Sequence, residues 1–210
     1  MLACNFLVKS SVPQQLHQVA GAPQFVWTNV TVNQPTAAGA ASLNIELSWV
    51  NKAATKLPEA LWVRFDSDSD SLEGEGGEAT SSNQTLEAQK LGTYIDALDV
   101  VRRGAANFFP ADGMRLRTVN ASTGHAAVVT VTSLDASIVG IGEPWPFPTR
   151  DSELPEGAPH FGWNLFNNIW GTNFVMWYPF AGTPLSNWAD GANATFRFGA
   201  SFAVKKTLIE

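Results

Sequence analysis

Leu43-Asn44-Ile45-Glu46-Leu47-Ser48-Trp49 sets an apolar side chain at every second position and a polar one between. That is the period of a pleated strand with one buried face and one wet face. Phe25-Val-Trp-Thr-Asn-Val-Thr-Val32 lies upstream as a β-branched and aromatic run, again strand-like. Downstream, Leu61-Trp-Val-Arg-Phe65 follows a turn at Pro58 and reads as the partner strand of a pair. Tyr94 to Val101, Met114 to Val119, Ala126 to Thr132 and Leu134 to Val139 read as further strands, with Gly104 and Asp112-Gly113 as turns. Ala194 to Val204 puts Phe196, Phe198, Phe202 and Val204 on one face, as a closing strand should.

Two stretches interrupt the strands. From Asp66 to Thr85 Ser, Asp, Glu and Gly replace nearly every apolar residue, so a long acidic surface loop is expected over 66–85. Residues 143–159 hold Pro144, Pro146, Pro148, Pro155 and Pro159, too many fixed φ angles and missing donors for a helix or a central strand; they read as a crossover loop. Residues 1–20 carry no clear period and read as partly irregular. The fold expected is a single all-β domain over 1–210, an antiparallel β-sandwich of supersandwich type.

With 210 residues, 45% apolar and 15% charged, the chain can bury a substantial core. A formal charge of −6 offers no basic patch for phosphates, which argues against a nucleic-acid partner. Cys4 is the single cysteine, so neither an internal disulfide nor a multi-cysteine zinc site forms. No apolar run reaches the ~18 residues of a membrane helix, and the first residues lack the pattern of a signal peptide; the compartment stays open. Sequons stand at Asn29, Asn83, Asn120 and Asn193.

The densest functional feature is His160-Phe-Gly-Trp-Asn-Leu-Phe-Asn-Asn-Ile-Trp-Gly-Thr-Asn-Phe-Val-Met-Trp-Tyr178. Trp163, Trp170 and Trp177 recur seven apart, as on a helix, yet Gly171-Thr172 and Pro179 suit two short strands around a turn better. Two readings stand open. The aromatic faces of Trp163, Trp170 and Trp177 stack on a sugar while Asn164, Asn167, Asn168 and Asn173 bond its hydroxyls; or the indoles fill a sandwich core and the amides satisfy backbone groups.

Other constellations are weaker. Asp66-Ser-Asp-Ser-Asp opens like a calcium loop, but Ser71 stands where the turn glycine belongs and Gly77 where the bidentate Glu belongs. Asp96, Asp99 and Asp135 are carboxylates in strand-like runs, with no spacing that makes an acid–base pair. His125 opens a strand; His160 near Asp151, Glu153 and Glu156 lacks a second histidine at ligand spacing. No nucleophile elbow, Walker loop or dinucleotide fingerprint is present, and Gly140-Ile-Gly142 lacks the following helix.

Phe166-Asn-Asn-Ile-Trp-Gly-Thr-Asn-Phe-Val-Met-Trp-Tyr178 resembles a signature near the C-terminus of glycoside hydrolase family 38-like, α-mannosidase-like proteins, in a branch known as a domain of unknown function. Leu57-Pro-Glu-Ala-Leu-Trp-Val-Arg-Phe65, Ile95-Asp-Ala-Leu-Asp99, Ser133-Leu-Asp-Ala136 and Phe196-Arg-Phe198 resemble further blocks of that branch, in the same order. Val175 and Ser137 stand where that pattern has proline, and residues 181–187 are inserted relative to it. The resemblance implies a C-terminal β-sandwich. It also implies an α/β catalytic barrel with zinc and an Asp nucleophile, for which this sequence has no counterpart, as in a truncated gene product or detached domain. It therefore assigns no catalytic residue, metal ligand or cofactor here, and expects an accessory role. The partner would be the missing barrel or a saccharide; an independent carbohydrate-binding module is the alternative.

Overall fold

The computed structural model describes residues 3–34, 41–50, 52, 59–66, 82–102, 107–120, 125–142, 160–168 and 193–206. In chain order the elements are β1 (Ala3–Ser11), α1 (Gln14–Ala20), β2 (Phe25–Asn33), β3 (Ala41–Trp49), β4 (Glu59–Asp66), β5 (Ser82–Lys90) and β6 (Thr93–Asp96). They continue with α2 (Ala97–Arg102), β7 (Phe108–Pro110), β8 (Gly113–Asn120), β9 (His125–Ser133), β10 (Ile138–Ile141), β11 (His160–Asn168) and β12 (Ala194–Lys206). An eight-stranded sheet runs β1-β2-β3-β12-β9-β8-β5-β6, and a four-stranded sheet runs β4-β11-β10-β7. Every pairing is antiparallel.

Register turns the sequence alternation into a core. Leu43, Ile45, Leu47 and Trp49 of β3 stand opposite Ala200, Phe198, Phe196 and Ala194 of β12. Ala200 stands opposite Val131, Val131 opposite Met114, and Met114 opposite Ala88. Directly opposed residues share a face, so one side of the large sheet becomes a continuous apolar stripe. The small sheet answers it with Phe65, Phe161, Trp163, Val139 and Phe109, which are likewise brought into line by register. Phe198 closes the sandwich, its ring 5.9 Å from that of Phe65 and 6.4 Å from that of Trp163. Burying each such side chain stabilises the fold by roughly 1.5–3 kcal/mol.

The all-β sandwich expected from the sequence is the fold observed, with differences in detail. Residues 3–11, read as partly irregular, form β1 and pair along their whole length with β2. β4 does not pair with β3; the two lie in different sheets, because the inward faces of both must meet the same core. Tyr94 to Val101 is not one strand: β6 ends at Asp96, whose Oδ1 accepts a hydrogen bond from Leu98 N at 2.8 Å and caps α2. Ala97 and Val101, one helical turn apart, are buried in the core, with Val100 packed against it. The acidic loop is shorter than expected, since Ser82 already begins β5. Between Leu134 and Ser137 the chain bends before β10 starts. The remainder of the acidic loop and the Pro-rich 143–159 stretch lie outside the described residues.

Candidate functional site

β11 carries the first half of the aromatic and amide-rich segment, and its two faces do different things. Trp163 points into the sandwich with 0% of its surface exposed, so this indole is core, not a stacking platform open to solvent. A bulge between Asn164 and Phe166 lets Leu165 enter the core with Phe166 packed beside it. Lys52 lays its ammonium 4.4 Å over the Phe166 ring. Asn167 and Asn168 end the strand opposite Ala60 and Glu59. Trp170, Asn173, Trp177 and the turn expected at Gly171 lie outside the described residues.

The other face of β11, the outer side of the small sheet, gathers a constellation. Asn164 stands opposite Trp62, Gly162 opposite Arg64 and His160 opposite Asp66; Gly162 stands opposite Gly140, and Gly140 opposite Phe108. The Trp62 indole lies over the two glycines: a Cβ on Gly140 would stand 2.8 Å from its Cη2 and Cζ3, and one on Gly162 3.3 Å from its Cε3. Only glycine leaves room for a ring in that position. Phe108 flanks the indole with ring centroids 4.8 Å apart, and Arg64 is ion-paired to Asp66 at the rim.

Among the described residues, Asn164 and Trp62 each place on this face a donor that has no hydrogen-bond partner. Asn164, 2% exposed, leaves Nδ2 unpaired, and half-buried Trp62 leaves Nε1 unpaired. Buried donors of this kind cost roughly 1–3 kcal/mol each when unsatisfied, and the two sit at directly opposed cross-strand positions, where Cβ atoms are about 4.5–5.5 Å apart. Trp62 belongs to the Leu61–Phe65 run, whose sequence alone does not distinguish this ring from its neighbours. Glycines interior to strands, here Gly140 and Gly162, mark a close approach without saying which ring makes it.

The carboxylates weighed for acid–base chemistry are placed apart. Asp96 caps α2 and Asp99 lies in its first turn. Asp135 accepts two bonds from the Arg197 guanidinium, Nη2 at 2.7 Å and Nε at 2.9 Å, and a third from Arg197 N at 2.8 Å. Those bonds to the Arg197 guanidinium hold the Asp135 carboxyl below the usual carboxylate range. A lowered folded-state pKa stabilises fully above the unfolded value, about 3.9, and that contribution fades as pH falls through the folded value. Asp135→Asn is therefore expected to lower Tm by a few degrees at pH 7 and to flatten the loss of stability on acidification below about pH 4. Thermal melts of both proteins across the acid range check this, and parallel acid profiles would refute the assignment.

His125 opens β9 at an exposed position. Among the described residues no three His, Cys, Asp or Glu side chains gather as a metal site, and no helix is long and apolar enough to cross a membrane. No family model, curated protein or solved structure matches the chain.

Proposed function

We propose that the chain is an accessory β-sandwich domain of a glycoside hydrolase family 38-like protein, one that seats a catalytic barrel and does not itself cleave a glycosidic bond. The observation that supports this reading is how the resembling blocks meet. The 57–65 block supplies β4, and β4 pairs along its length with β11, which enters the 166–178 block. The 133–136 block meets the 196–198 block through the Asp135–Arg197 clamp, and Leu134 N donates to Arg197 O at 3.0 Å. Within the 95–99 block, Asp96 caps the helix that follows it. These contacts tie distant strands together, which is the work of a scaffold.

Carbohydrate binding by stacking has less support, because Trp163 is enclosed in the core. The purified 210-residue chain is expected to leave aryl α-mannosides uncleaved with or without zinc, to show unchanged tryptophan fluorescence with manno-oligosaccharides, and to form a stoichiometric complex with a separately produced family 38-type barrel. Metal-dependent turnover by the chain alone would sink the proposal. A saturable fluorescence change would favour the independent binding module.

A further inference from the structure

Sheet edges expose unpaired backbone donors and acceptors, and proteins blunt them with short strands, proline or charge. Among the described strands four end a sheet, and three of these are blunted. β6 has four residues, β7 has three and ends in Pro110, and β4 carries Glu59, Arg64 and Asp66. β1 is different. It is nine residues long, Ala-Cys-Asn-Phe-Leu-Val-Lys-Ser-Ser, without proline and with a single charge. That charge is turned away from the edge: Lys9 Nζ lies 3.8 Å over the Phe25 ring and 5.9 Å from the Trp27 ring, both on the neighbouring β2. Leu7, at the middle of the strand, is 72% exposed.

From this we infer that two copies of the chain associate through their β1 edges, antiparallel about a two-fold axis at Leu7, to continue the eight-stranded sheet across the dimer. The strand is self-complementary in that register. Leu7 falls opposite Leu7 of the second copy, Phe6 opposite Val8, Lys9 opposite the neutral Asn5 and Ser11 opposite Ala3, so no like charges meet. The same pairing covers an exposed leucine and extends the backbone ladder past the last described strand.

The test is charge substitution at the axis, read by gel filtration with light scattering on the full chain. The wild type is expected to reach twice the 22.6 kDa chain mass as concentration rises. Leu7→Lys or Leu7→Glu puts like charges face to face and is expected to weaken self-association at least roughly tenfold. An equimolar mixture of the two variants is expected to restore the dimer, because Lys then faces Glu. A wild type monomeric throughout, a Leu7→Lys dimer as tight as wild type, or a mixture that stays monomeric would each overturn the inference. Leu7→Cys in a Cys4→Ser background gives a second measurement: oxidation should cross-link two copies, and failure to cross-link while the wild type dimerises would exclude this register.

Discussion

Replacing Trp163 by alanine is expected to cost about 3–5 kcal/mol, the upper range for a large aromatic removed from a core. For a domain of this size that corresponds to a fall in Tm on the order of 10 °C, out of a total stability of roughly 5–15 kcal/mol. The reason lies in its position. Trp163 is fully enclosed, opposed across the small sheet by Val63 and Val139, with Phe198 of the other sheet 6.4 Å away. Alanine would leave a cavity that two rigid sheets cannot close. Trp163→Phe provides the contrast. Nε1 of this indole is buried without a partner, so phenylalanine removes an unsatisfied donor while keeping most of the apolar volume, and its cost should be less than half that of alanine. Urea melts of the three proteins with unchanged slopes measure the difference. An alanine cost below about 1 kcal/mol would mean that the indole is not packed between the sheets.

Gly140→Ala is expected to destabilise by about 1–3 kcal/mol, although alanine ordinarily gains roughly 0.5–1 kcal/mol over glycine inside a strand. The sign is decided by contact. The new methyl would meet Trp62 Cη2 and Cζ3 at 2.8 Å and Phe108 Cε1 at 3.2 Å, closer than carbon atoms approach without repulsion. The indole must then lift from its glycine floor. A double-mutant cycle isolates the cause: in a Trp62→Leu background the alanine should cost little or should stabilise. Equal costs in both backgrounds would show that the strain lies elsewhere.

How much of this was legible in the sequence differs from element to element. β3 and β12 were readable because each buries one face only, so the alternation of Leu43 to Trp49 and of Phe196 and Phe198 survives in the residue order. β1 was not, because Phe6, Leu7 and Val8 run consecutively and mark no wet face. The helix after Asp96 was hidden in a short apolar run, where a cap and a single turn outweigh period two. Trp163 stands out in the residue order as a core or a sugar-facing indole alike, and only its enclosure between the two sheets makes it core. Trp62 and its glycine floor were beyond sequence reading because the contact joins three strands that are remote along the chain, and no local pattern encodes which ring will lie on which glycine. Asp135 and Arg197 were each visible, but their meeting depends on the bend after β9.

The position of β12 has a consequence for biosynthesis. This strand lies between β3 and β9, so two half-sheets made much earlier have no shared edge until residues 194–206 leave the ribosome. At ~5–20 residues per second, the open edge of β3 waits on the order of ten seconds for its neighbour. Throughout that interval β3 lacks its neighbour, and completion of the large sheet is a late, long-range event governed by loop closure more than by local hairpins. A chain interrupted before residue 194 would carry nearly every strand of the sandwich and still lack the one that joins its halves, which makes such fragments natural clients for chaperones and proteases.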